Sequence, residues 1–213
     1  MPITSLNNFG VPTDAGNQVL LMPKLKFRFR VTLLGFGVTA ATELTKQVVD
    51  VSRPKVGFEE MTLDVYNSKV FLAGKYTFET LTLNLRDDAS GEVQKLVGQQ
   101  VQKQFDFVEQ ASARSGIDYK FTTKIEVLDG GNGNNAAGVN VLETANMYGC
   151  FLTNVDYGDA NYATNEAMTV ALTIRIDNMV QYGPGEQGVG VGIGATVERT
   201  LGEATTGSSP AQG

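Results

Sequence analysis

The chain has no histidine and no tryptophan, and Cys150 is its only cysteine. Without histidine, the commonest general base, the Ser-His-Asp triad and most transition-metal sites are unavailable. A single cysteine excludes an internal disulfide and any multi-cysteine zinc site. Set in the apolar run GCFL, it reads as a small buried hydrophobe and not as a reactive thiol. Basic residues are also scarce: 17 Lys and Arg against 23 Asp and Glu leave a net charge of −6. Surfaces that grip nucleic acid cluster Lys and Arg against phosphates, so this balance argues against a nucleic-acid-binding module. No stretch approaches the ~18 apolar residues of a spanning helix. The opening MPITSLNNFG lacks the basic-then-apolar pattern of a signal peptide. The expectation is a protein that folds in a reducing cytoplasm and inserts into no membrane of its own accord.

Remaining chemistry is thin. The carboxylate pairs Glu59/Glu60 and Asp87/Asp88 are sequence neighbours, which diverge on a strand or serve a helix start. DGGNGNNAAG lacks the spaced aspartates and closing glutamate of a calcium loop. The glycines at 188–194 have no strand–glycine–helix setting for a dinucleotide fingerprint. The expectation is no enzyme, no metal and no cofactor.

What the sequence does contain is alternation. Residues 1–22 show no sustained period and read as an N-terminal arm. From Lys24, Leu25, Phe27, Phe29, Val31 and Leu33 point one way, and Lys24, Lys26, Arg28, Arg30 and Thr32 the other, as in a half-buried strand. Cations at period 2 could meet phosphate; the preferred reading pairs them with acids on a neighbouring strand or subunit. A second extended segment covers Leu44–Ser52, with Val49 and Val51 on one face. Met61, Leu63 and Val65 are read as inward, followed by a loop through Asn67 and Gly74. YTFETLTLNLRDD then sets Leu81, Leu83 and Leu85 against Thr80, Thr82 and Asn84.

After Asp87 the period lengthens to 3.6. Val93, Leu96, Val97, Val101, Phe105 and Val108 predict a helix from Ser90 to Arg114, capped by Asp87, Asp88 or Ser90 and ended by Gly116. Strands resume at YKFTTKIEVL, VLETANMYGCFLTNVDY and NEAMTVALTIRID. The count is about seven or eight strands and one helix, a mainly β domain, sandwich or small barrel, with the helix packed on it. The expected boundaries are 1–22 arm, 23–180 β domain, and 181–213 a Gly- and Ser-rich extension in which Val189, Val191 and Ile193 alternate with glycines.

Two segments carry a resemblance. VYNSKVFLAGKYTFETLTLNLRDD before the helix, and NMYGCFLTNVDYGDANYATNEAMTVALTIRIDN after it, make the chain resemble the tail-tube proteins of contractile-tailed bacteriophages. The match is best over Gly149–Asp156 and Asn165–Asp177 and spans roughly residues 24–180; it departs at Leu152, where members of that family often carry proline. The resemblance implies a subunit of stacked hexameric rings, akin in fold to type VI secretion tube proteins. It would contact a sheath, baseplate and tape-measure protein in a virion tail, with DNA passing through unbound. It implies a lumen lined by polar strand faces, for which Asp50, Thr62, Asp64, Thr122, Lys124 and Glu126 are the candidates. Contacts between subunits or rings fall to Lys26, Arg28, Arg30, Lys69, Asp129, Asn132 and Asn134. A bacteriocin or secretion tube is the close alternative. A β-rich ligand-binding module and a porin remain further off, the one lacking tryptophan, the other the signal peptide and aromatic girdles.

Overall fold

The computed structural model describes residues 23–38, 42–129, 141–163 and 165–183. In chain order the elements are β1 (Phe29–Leu34), α1 (Thr42–Gln47), β2 (Val48–Val51), β3 (Val56–Val65), β4 (Ser68–Phe78), β5 (Leu81–Arg86), α2 (Glu92–Gln104), β6 (Phe105–Asp106), β7 (Ala111–Ser112), α3 (Gly116–Tyr119), β8 (Phe121–Leu128), β9 (Val141–Asp156), β10 (Thr169–Arg175) and β11 (Asn178–Tyr182). The protein is mainly β, as its alternation predicts. Seven strands form one antiparallel sheet in the order β1-β8-β9-β10-β5-β2, with β11 also on β9.

This sheet folds back on itself because β9 serves both halves. The first part of β9 pairs with β8 and β11, and Phe151–Asp156 pair with β10. The change of partner falls at Gly149, whose φ of +66° is a left-handed conformation that a side chain disfavours. A Cβ there would also lie 2.8 Å from Asp177 Cβ. Between the two halves lie Val31, Leu33, Leu81, Leu83, Leu85, Met147, Leu172 and Ile174, all buried. The leucine face of the 81–85 strand is therefore core, as its period predicts. Cys150 is buried among the same residues, and burial pushes its thiol up.

Helix α2 closes one side of this core with Val93, Leu96 and Val97. It also places Gln100, fully buried, to accept the Gly37 N–H at 3.0 Å and donate to the Tyr119 carbonyl at 2.6 Å. Gln104, the last helical residue, binds both backbone groups of Leu152. Its Nε2 donates to the Leu152 carbonyl and its Oε1 accepts the Leu152 N–H, each at 2.9 Å. The departure from the tail-tube pattern at Leu152 thus has a structural use, since proline has no N–H to give. Leu152→Pro should cost about 1–3 kcal/mol through the unpaired Gln104, read as a fall in the thermal midpoint; an unchanged midpoint would remove that role.

Several expectations need correction. The alternation from Lys24 overstates β1: residues 25–28 form a turn, with Arg28 N–H on the Leu25 carbonyl at 3.2 Å, and Phe27 is 73% exposed. The segment from Leu44 begins as helix α1, whose Leu44 is buried, and only then becomes β2. The long helix stops at Gln104 instead of Arg114. Phe105 already has extended backbone, and β6 and β7 form a small hairpin that leaves Val108 exposed. The N-cap is Gly91, without a side-chain cap, not Asp87, Asp88 or Ser90. Gly116 ends nothing; it opens α3, which Ser115 and Asp118 close with reciprocal side-chain bonds. The extension from 181 starts inside β11, which runs to Tyr182.

Candidate assembly surface

The largest departure concerns residues 56–78. β3 and β4 form a two-stranded hairpin of their own, paired from Val56↔Phe78 to Val65↔Ser68 and, among the described residues, joined to no other strand. The predicted loop at 67–74 is most of β4; the chain turns at Tyr66–Asn67, with Tyr66 at φ 51°. Every residue of the hairpin but Phe78 is exposed. Met61, Leu63 and Val65, read from sequence as inward, therefore face out of the subunit.

Register explains the pattern. Met61↔Leu72 and Leu63↔Val70 are cross-strand partners, so these four residues and Val65 share one face. The opposite face of the same stretch carries Glu60, Thr62, Asp64, Lys69 and Phe71, with Asp64 and Lys69 3.8 Å apart. Nearer the body, beyond an irregularity between Phe58 and Glu60, that second face becomes aromatic: Phe58 opposes Tyr76, and Tyr76 meets Phe78 edge-on at 5.4 Å. An isolated hairpin is marginal in water, and an exposed contiguous apolar face is a candidate interaction surface.

The second feature is a groove. β1 and β2 are the end strands of the main sheet, and between them lies a cavity of 410 Å³ floored by Leu25, Phe29, Val51, Ile125 and Val127. Lys24, Lys26 and Arg28 line the β1 side; Asp50 and Arg53 line the β2 side.

Two buried carboxylates organise the cations around it. Glu126, its side chain 4% exposed, takes Arg30 Nε at 2.6 Å and Lys124 Nζ at 2.5 Å. Glu143 takes Lys24 Nζ at 2.7 Å, Gln181 Nε2 at 2.6 Å and Arg53. It thereby ties the lead-in to β1, the approach to the hairpin and β11. Burial by itself would raise both carboxyls; hydrogen bonds from Arg30 and Lys124, and the bonds and charges of Lys24 and Arg53, outweigh it and hold both below the usual carboxylate range. A depressed carboxylate contributes stability that is present above its unfolded pKa and lost as pH falls through its folded one. The thermal midpoint should therefore hold from pH 7 to about 5 and fall below about pH 4. Glu126→Gln should flatten part of that fall; an equally steep acid limb in the variant would contradict it.

The structure places the sequence candidates on three separate surfaces. Thr62 and Asp64 are on the hairpin. Asp50 sits on β2, where its Oδ1 accepts Asn84 Nδ2 at 2.9 Å, beside exposed Thr82. Thr122, Lys124 and Glu126 are on β8, on the face of the other half of the sheet that turns away from the core. The basic stripe finds acids within the same chain: Arg30 on Glu126 and Lys24 on Glu143, while Arg28 donates to the Asp129 carbonyl. Asn132 and Asn134 lie outside the described residues. Sequence reasoning missed Glu143, Arg53 and the hairpin aromatics; Phe58, Phe71 and Tyr76 within an otherwise alternating, Gly74-interrupted run were the available signal.

No family model matches the chain, and no curated protein does. Solved structures do. The sheath/tube terminator of the PVC extracellular contractile injection system, in its extended state, superposes with a TM-score of 0.57 and 14% identity over 78% of this chain and 100% of that one. The tube-terminating cap of the anti-feeding prophage gives 0.55 and 16%, over 82% and 100%. The PVC sheath-tube complex gives 0.53 and 15%, over 85% and 100%. The chain shares the fold of contractile-injection tube and terminator proteins. At these identities the likeness concerns the fold; Hcp1 from Flavobacterium johnsoniae is more distant, at 0.42 and 9%. The bent sheet and its helix belong to this shared fold.

Proposed function

We propose that the chain is a structural subunit of a hollow tube, in a phage tail or a related contractile injection device, built from stacked hexameric rings. The observation that carries this reading is the uncovered apolar face of the β3–β4 hairpin on a fold shared with tube proteins. A subunit with such a face is incomplete alone, and a copy of itself is the partner always at hand in a ring. The similar structures come from a sheath-tube complex, a tube terminator, a tube-terminating cap and a baseplate, which makes a sheath outside and a baseplate or cap at the ends the expected partners. Catalysis has no place in this role.

For the bore, the Thr- and Asn-bearing outer face of β5 and β2 and the polar hairpin face at Thr62 and Asp64 suit a wet, unreactive lining. An acidic lining avoids the phosphate contacts that would make passing DNA stick. Asp64→Lys in otherwise normal tubes should slow DNA ejection; unchanged ejection would place Asp64 away from the bore. Lys124 and Glu126 face away from the other half of the sheet, so only one of the two candidate groups on the main sheet can line the same bore.

The likeness to a terminator and a cap supports a second reading, a single ring that ends a tube. Native mass spectrometry of the purified protein tests ring formation: six copies of the 22.8 kDa chain are expected. A species that stays at one copy across concentration would remove both readings.

A further inference from the structure

Building on the self-assembly just proposed, we propose that the groove between β1 and β2 receives the apolar hairpin face of the next copy of this chain. The two surfaces match in kind. The hairpin offers Met61, Leu63, Val65, Val70 and Leu72, all exposed among the described residues. The groove offers an apolar floor of Leu25, Phe29, Val51, Ile125 and Val127.

A hairpin cannot fill its own groove. β3 starts at Val56, three residues beyond Arg53 on the groove's lip, and runs for 10 extended residues with one irregularity between Phe58 and Glu60. At ~3.3 Å per residue, Met61 already stands about 17 Å from that start and Val65 about 30 Å. A hairpin seated in this groove therefore comes from another molecule.

Charge sets the orientation. β3 carries Glu59, Glu60 and Asp64 and no cation, whereas β4 carries Lys69 and Lys75 and no acid. The β1 lip carries Lys24, which is already on Glu143, with Lys26 and Arg28, whereas the β2 lip sets Asp50 beside Arg53 and is close to neutral. The incoming β3 thus lies along Lys24, Lys26 and Arg28, and β4 along β2. Seated there, the hairpin also covers the edges of the two end strands, which pair with no other described strand and would otherwise be templates for uncontrolled pairing. Because hairpin and groove are different surfaces, the contact is head-to-tail: it propagates, and closes into a ring where the rotation permits.

Complementation tests this directly. One variant loses the hairpin face (Leu63→Asp with Val70→Asp) and the other the groove (Leu25→Asp with Lys26→Glu). Each alone should run as a monomer with wild-type circular dichroism. An equal mixture should give dimers and nothing larger, because one intact hairpin and one intact groove remain. A second pair, Leu63→Cys in one copy and Leu25→Cys in another, should form an intermolecular disulfide on oxidation, and its yield does not depend on the aspartate variants folding. If the groove variant alone forms wild-type assemblies, or the cysteine pair fails to link within assemblies that do form, the groove is not the acceptor and the tube reading stands without it. If the wild-type chain remains monomeric, both fall.

Discussion

Leu63→Asp with Val70→Asp is expected to yield a folded monomer that cannot assemble. The two residues are cross-strand partners on the uncovered face, each more than two-fifths exposed in the subunit. Neither belongs to the buried core or packs against it, so the monomer's thermal midpoint should move by no more than about 2 °C. In an interface each aliphatic contributes roughly 1.5–3 kcal/mol on burial. Two carboxylates forced into its place cost several kcal/mol more. The combined loss corresponds to at least about a thousandfold in each contact. Light scattering and circular dichroism on the same sample separate the two effects: assembly lost and fold kept. Assembly at wild-type concentration would mean that the hairpin's apolar face is covered by nothing in the assembled state.

Gly149→Ala should have the largest effect on the fold itself. Its left-handed φ costs a non-glycine residue about 1–3 kcal/mol, and the new methyl would meet Asp177, which Lys120 holds in place. Relief requires moving the Asp177 carboxylate away from Lys120 or shifting β9 where it passes between the two halves of the sheet. A loss of about 3 kcal/mol or more is expected, or roughly 6–12 °C in the midpoint of a domain this size. It is best measured in the assembly-deficient background, where association does not contribute. Asp177→Gly should recover part of the loss by vacating the space. A Gly149→Ala variant as stable as its parent would show that β9 does not need this bend.

These two positions also show where the sequence is readable. Period 2 at Leu81, Leu83 and Leu85 identifies a core face, because β10 buries Val170, Leu172 and Ile174 beside them and Val48 and Val51 of β2 pack partly buried against the same core, while Val49 stays exposed. The same period at Met61, Leu63 and Val65 correctly gave a strand and wrongly gave the core. Alternation reports that one face leaves water, not whether it does so within the chain or between chains. The helix ran too long on paper because Phe105 and Val108 continue the stripe of Val97 and Val101; the chain instead turns at Phe105, whose ring packs near Phe107. α1 was hidden because TELTKQ is short and has one buried apolar residue, Leu44, to set a period. The expectation that acids would neutralise the basic stripe held for Arg30 and Lys24. That one of those acids, Glu143, also gathers Arg53 and Gln181 depends on contacts 90 and 38 residues apart, beyond any local pattern.

The central claim is that this chain builds a tube. Negative-stain electron microscopy of the purified wild-type protein at rising concentration tests it most directly. Rings with an open centre and six-fold end views, stacking into rods of one width, are expected, and neither should form in the Leu63→Asp, Val70→Asp variant. Single particles without a central opening, or irregular aggregates formed equally by both proteins, would contradict it.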